Sequence, residues 1–433
     1  MWRIALPMIL SNVSVPLLGM VDTGVTGHLE DAAYLGAVAV GATIFGFLYT
    51  GVNFLRMGTT GIAAQRYGAD DSAGLRTSLG QALIVATAIA LLLLILQKPM
   101  GAFALSLLGA GPTVTEYARE YFFIRIWSAP ATLANFALIG WFIGLQNARI
   151  PLLIVLVINL TNIVLDLVLV LVFDMKVAGV AAASVIAEFT GMGIGVSVAL
   201  AELRRRGGRW DVSQLLSPSA YAGFLSVNGH LFVRTMALMF TFGFVTAQGA
   251  RQGGLILAAN AILLNLQNLL SFALDGFAHA AEALVGKAVG ANSRATLERS
   301  VRVTLRWSLY VAVAFSVLFL LGGPLFIKLL TGLPEVRETA MRYLPWMILS
   351  PFVSVWSFLY DGVFVGATRA REMRDIMLLS AFAVFVPAFY VLRFLGNDGL
   401  WFAFLLFMAS RGIGMHYYYR SRVLATVRGS RLM

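Results

Sequence analysis

The side chains best able to do chemistry in this chain are carboxylates set in apolar surroundings. Asp22 is the only acid in "LPMILSNVSVPLLGMVDTGVTGHL", Leu6–Leu29. Asn162 and Asp166 stand four residues apart in "TNIVLD", so a helix puts them on one face. Ser184 and Glu188 have the same spacing in a further apolar stretch. Asp275, His279 and Glu282 follow at i, i+4 and i+7, and Asp361 completes the set. Acids inside membrane spans face a bundle interior or a wet cavity, and they commonly mark paths for ions or protons. Glu188, Asp275, Glu282 and Asp361 rank behind Asp22 and Asp166, because structural or cavity-lining roles explain them as well. Arg234 is the basic exception among these acids.

Such acids acquire that meaning only if the stretches around them span a membrane. Of 433 residues, 59% are hydrophobic and 12% charged, whereas soluble domains are about a quarter charged. Twelve stretches approach or exceed the roughly 20 residues a spanning helix needs. They lie near 2–28, 33–62, 75–108, 116–142, 152–174 and 177–203, then 218–250, 253–285, 297–330, 337–366, 374–396 and 398–423. The third and ninth are long enough to predict a surface turn at Gly101 and at Gly322–Gly323. With no cysteine, disulfide and thiolate chemistry are excluded. The first apolar stretch is too long for a cleavable signal peptide. The net charge of +11 is scattered over short loops, which fits membrane topology rather than nucleic-acid binding. Its concentration on alternate loops, as in Arg204–Arg206 and Arg209, predicts both termini in the cytoplasm.

No enzyme-like constellation competes. The four histidines, His28, His230, His279 and His416, lack metal-ligand spacing, and there is no phosphate-binding G-x-x-x-x-G-K-[ST] loop. The residues require no cofactor. They point to secondary transport.

The chain also repeats itself. "GTTGIAAQRYGA" from Gly58 aligns with "AAEALVGKAVGA" from Ala280, "GLQNARIP" from Gly144 with "GATRAREM" from Gly366, and "YLGAVAVG" from Tyr34 with "ILAANAIL" from Ile256. All three pairs share an offset of 222 residues. Six spans per copy leave the copies parallel, related by an axis along the membrane normal and flanking a central cavity. The expectation is an all-α membrane protein of twelve transmembrane helices in two six-helix repeats. The N-lobe is 1–203, the cytoplasmic linker 204–217, and the C-lobe with a short tail 218–433.

The Asp22 segment, "LGAVAVGATIF" (Leu35–Phe45), "GWFIGLQNARIP" (Gly140–Pro151), "NLTNIVLDLVLV" (Asn159–Val170), "ALDGFAHAAEALVGKAVGA" (Ala273–Ala291) and "LYDGVFVGATRAREMRD" (Leu359–Asp375) resemble the multidrug and toxic compound extrusion (MATE) transporters. More narrowly they resemble the bacterial DinF-like branch. The resemblance implies cation-coupled export of amphipathic, mostly cationic organic compounds across the bacterial inner membrane by a monomer in contact with membrane lipids. It implies a coupling site of Asp22, Asn162, Asp166, Ser184 and Asn135. Asn135, near the inner end of its helix, also suits a cavity wall. Two prolines can bend the first helix. Its middle favours Pro16, and the resemblance favours Pro7. The expected coupling ion is H⁺, with Na⁺ as the close alternative. A lipid-precursor flippase of similar plan is the further alternative, although it would call for a more cationic cavity.

Overall fold

Helix starts follow local side-chain chemistry. Asp31 accepts a hydrogen bond from the Ala33 N–H at 2.8 Å, and Asp71 accepts one from the Gly74 N–H at 2.8 Å. These are N-caps that satisfy amides otherwise left open. The computed structural model describes residues 1–27, 29–207 and 209–427. His28, Gly208 in the expected linker and residues 428–433 of the expected tail lie outside the described residues.

In chain order the helices are α1 (Trp2–Gly27), α2 (Ala32–Val52), α3 (Phe54–Gly68), α4 (Ser72–Ile95), α5 (Gln97–Leu108), α6 (Pro112–Arg125), α7 (Ala129–Gly144), α8 (Arg149–Asp166), α9 (Lys176–Arg206) and α10 (Val212–Leu216). Then come α11 (Ala222–Arg251), α12 (Gly254–Gly290), α13 (Arg294–Leu330), α14 (Pro334–Gly366), α15 (Ala370–Leu378), α16 (Val386–Leu392) and α17 (Asn397–Tyr418). Wider π-helical turns follow α8, α15 and α17. Among the described residues 11 helical segments are long and apolar enough to cross a membrane. The twelfth expected span is helical as α17 but is not one of those 11. Leu321, Ile95 and Phe394 are about three-quarters exposed (76%, 75% and 76%), as lipid-facing side chains are.

The two expected glycine turns are corrected. The break in the third span falls at Leu96, and Gly101 lies inside α5, where a Cβ would press on Phe122. Gly322 and Gly323 lie inside the unbroken α13, where Gly323 leaves room for Leu344. Both Gly101 and Gly323 serve packing rather than turning.

The repeat is written into backbone geometry. Gln146 and Thr368 both take positive φ (62° and 53°), as do Asp70 and Asn292 (52° and 49°), and each pair is 222 residues apart. The Asn147 N–H bonds the Phe142 carbonyl at 3.0 Å, and the Arg369 N–H bonds the Phe364 carbonyl at 2.9 Å. These are matching left-handed helix ends. A Cβ on Gly140 would overlap the Arg56 carbonyl of α3, and one on Gly362 would overlap the Ala278 carbonyl of α12. Gly144 and Gly366, one turn on, are equally tight. Each copy therefore packs one helix pair through a small-x-x-x-small face.

Packing divides the chain into two bodies, Leu10–Phe224 and Met1–Ile9 with Leu225 onward. This departs from the expected boundaries at two places. The Arg76 guanidinium donates to the Leu203 carbonyl at 2.6 Å, and Phe224 is buried beside Leu55 and Leu133, so the segment after α9 belongs to the first body. At the other end Trp2 packs edge-on against Phe277 and Trp307, at 5.3 and 5.1 Å between ring centres, which ties the first turns of α1 to the second.

Candidate functional site

In the first body a polar seam runs along one face of α8. Asn159, Asn162 and Asp166 are all buried on it, Asp166 completely. The Asn159 amide donates to the Ser14 hydroxyl of α1 at 2.9 Å, and one turn further the seam meets Asp22. The carboxyls of Asp22 and Asp166 converge on the Asn162 amide and interact with each other electrostatically. The π-helical turn 167–172 begins at the next residue. Such a turn inside an otherwise α-helical span is common at functional sites.

Asn162 joins this pair to α9. With its amide turned so that both ends find partners, its oxygen accepts from the Ser184 hydroxyl at 3.0 Å and from the Ser184 backbone N–H at 3.1 Å. Its nitrogen donates to Asp166 Oδ2 at 2.9 Å and approaches Asp22 Oδ1 at 3.3 Å. The opposite rotation would aim the oxygen at two carboxyls and the NH₂ at a backbone N–H, so the partners decide the orientation. Asp22, Asn162, Asp166 and Ser184 thus come together as expected. Asn135 does not join them. Its NH₂ donates to Glu188 Oε2 at 2.8 Å and to the Glu188 carbonyl at 3.0 Å. A second polar pair, α7 to α9, therefore sits beside the first.

Arg125, at the end of α6, is a residue the sequence reading passed over. Its guanidinium lies 5.5 Å from the Phe45 ring centre and 5.9 Å from that of Tyr121. It interacts electrostatically with Glu188, Asp22 and Asp166. A base in the apolar run "FFIRIW" was the signal that could have found it.

The acids of the second body are arranged differently. Asp361 of α14 takes Arg234 of α11 and Arg411 of α17 on the same oxygen, the latter at 2.6 Å. All three are more than nine-tenths buried. Arg234 is therefore not the sole buried base. Arg411 also lies over the Phe407 ring at 5.2 Å, and Asp275 interacts with it electrostatically. His279 and Glu282 face each other at 3.5 Å on α12. Positions 222 residues beyond Asp22, Asn162, Asp166 and Ser184 hold Phe244, Val384, Ala388 and Leu406. The acid–amide seam thus has no counterpart in the second copy. Among the described residues no group of three or more His, Cys, Asp or Glu side chains is placed to hold a metal ion.

The MatE family matches residues 7–168 and 231–391, one segment in each copy. DNA damage-inducible protein F of Escherichia coli is 44% identical over 415 residues, 96% of this chain and 90% of that protein. The probable multidrug resistance protein NorM of Photorhabdus laumondii is 22% identical over 426 residues, 92% of this chain and 90% of that protein. The bent form of the Vibrio cholerae MATE transporter VcmN superposes with a TM-score of 0.88 at 19% identity, covering 98% of this chain and 96% of that one. That likeness shows the fold, in two lobes. The relatives and structural neighbours are transporters, not enzymes. This chain belongs to the MatE family and is a MATE-type multidrug and toxic compound efflux transporter.

Proposed function

We propose that the protein exports amphipathic organic cations in exchange for protons, and that Asp22 and Asp166 are the proton-exchanging pair. The orientation of Asn162 carries this reading. A sodium site needs oxygens turned toward the ion, as hard cations do generally. Asn162 instead turns its N–H toward the acids, held there by the Ser184 backbone. A backbone N–H has no rotamer to change. The pair therefore meets a donor, which suits carboxyls that gain and lose a proton.

One proton between two facing carboxyls removes their mutual repulsion, and the two titrate as a unit. Open to an acidic exterior, the pair takes up the proton and loses one of the two negative charges that held a cationic substrate. Open to the cytoplasm, it releases the proton and regains that charge. We place the protein in the bacterial inner membrane with both termini cytoplasmic, on the strength of its alternate basic loops. Pro7 and Pro16 both lie within α1, one on each side of the Ile9–Leu10 division, so a bend at either acts on the helix that carries Asp22.

The test is transport of a fluorescent organic cation by purified protein in liposomes. A pH gradient without sodium is expected to drive transport, and Asp22→Asn is expected to abolish it at equal insertion. Transport that needs a sodium gradient and stops when choline replaces sodium at constant pH would overturn the proton assignment.

A further inference from the structure

Arg125 has no part in the proton exchange just described, yet it interacts electrostatically with the acids that perform it. Two ring faces hold it, Phe45 from α2 and Tyr121 one turn earlier on α6. Its Nε is buried without a hydrogen-bond partner. The titratable groups that face it come from five helices: Asp22 of α1, Tyr49 of α2, Tyr121 of α6, Asp166 of α8 and Glu188 of α9. Tyr49 is itself held by the Ser128 hydroxyl at 2.7 Å, and Glu188 by Asn135. Three carboxyls thus act electrostatically on one guanidinium that is held against two aromatic rings.

We propose that Arg125 is a resident counter-cation of the Asp22–Asp166 pair and sets its preference for protons over sodium. The proposal rests on the proton-antiport reading above. A neighbouring guanidinium weakens the binding of any further cation to the pair, proton or sodium, by a similar electrostatic factor. A proton tolerates that loss because an O–H bond supplies its affinity. Sodium depends on the combined field of the carboxylates and on a shell of oxygens, and here it meets a fixed positive charge and an amide N–H. Arginine suits this role better than lysine would, since its weakly hydrated, planar cation stacks on rings. The group also keeps its charge at every pH of interest. It cannot act as a second proton carrier.

The experiment compares wild type, Arg125→Gln and Arg125→Lys in the same liposomes, reading substrate-induced proton release against pH, with and without sodium. For Arg125→Gln the midpoint of proton release is expected to move upward by about one pH unit or more. Sodium, inert on wild type, is expected to suppress that release or to drive export. Arg125→Lys, which keeps the charge, is expected to restore indifference to sodium. If Arg125→Gln leaves Glu188 unmatched and folds poorly, the double variant Arg125→Gln/Glu188→Gln removes both charges and carries the same test. An unchanged midpoint and continued indifference to sodium in the glutamine variants would overturn the role of Arg125 while leaving proton antiport intact. Sodium-driven export by wild type would overturn both, and it is read before any substitution is made.

Discussion

Asn162 turns a pair of carboxyls into an oriented site, and its two anchors on Ser184 differ in kind. The hydroxyl can be removed, but the backbone N–H cannot. Ser184→Ala is therefore expected to retain most pH-driven export, losing about one neutral hydrogen bond, ~1 kcal/mol. Asn162→Leu removes the donor that faces the acids and is expected to abolish export, measured as dye efflux at matched protein level. Asp361 tests a different principle. Asp361→Asn leaves two buried guanidiniums without their shared anion, and breaking a buried pair costs about 3–5 kcal/mol. The expected result is a large fall in melting temperature in detergent, with the residual folded fraction still coupled to protons. Loss of coupling without loss of stability would move the proton site into the second copy. Asp22, Asn162 and Asp166 were legible in the sequence because acids are conspicuous in apolar runs and a four-residue spacing fixes a common face. The partner of Asn135 was not legible. Whether it faces Asp22 or Glu188 depends on how α7 and α9 are rotated about their axes, which spacing within one helix leaves free. Arg125 and Arg411 were equally visible but were passed over.

At the scale of elements, the tight helix pairs α3–α7 and α12–α14 are built on glycines whose missing Cβ admits a neighbouring carbonyl. Gly140→Ala and Gly362→Ala are each expected to lower the melting temperature, because the obstacle is backbone and has no rotamer to escape into. Gly46→Ala, with nothing within 4 Å of the added carbon, is the control expected to leave it unchanged. Equal behaviour of all three would show that these contacts do not set the interhelical distance. The sequence motifs that begin at Gly144 and Gly366 revealed the repeat but not its purpose. Their glycines follow from packing, and the positive φ two residues later follows from helix termination. Gly101 and Gly323 were misread for a related reason. A glycine in an apolar run signals either a turn or a close neighbour, and only the neighbour decides.

For the molecule as a whole, twelve apolar stretches and a constant offset were enough to read an all-helical membrane fold in two lobes. The boundary between the packed bodies was less legible, because composition marks the polar segment 204–217 without showing that Arg76 holds its start against α4. The duplication preserved turns and glycine contacts while the acid–amide seam exists once, with Phe244, Val384, Ala388 and Leu406 at the corresponding places. That single seam has an electrical consequence. On the proton-antiport reading proposed above, one pair of carboxyls sharing one proton brings one positive charge inward per cycle, and a monovalent drug carries one outward. The net current is zero. A membrane voltage of 100 mV is worth about 2.3 kcal/mol per charge moved, and such a cycle draws none of it. Export of a monovalent cation is therefore expected to continue when valinomycin and potassium clamp the voltage to zero, and to stop when nigericin collapses the pH difference. A divalent substrate should generate an outward current, and a voltage negative inside should slow its export.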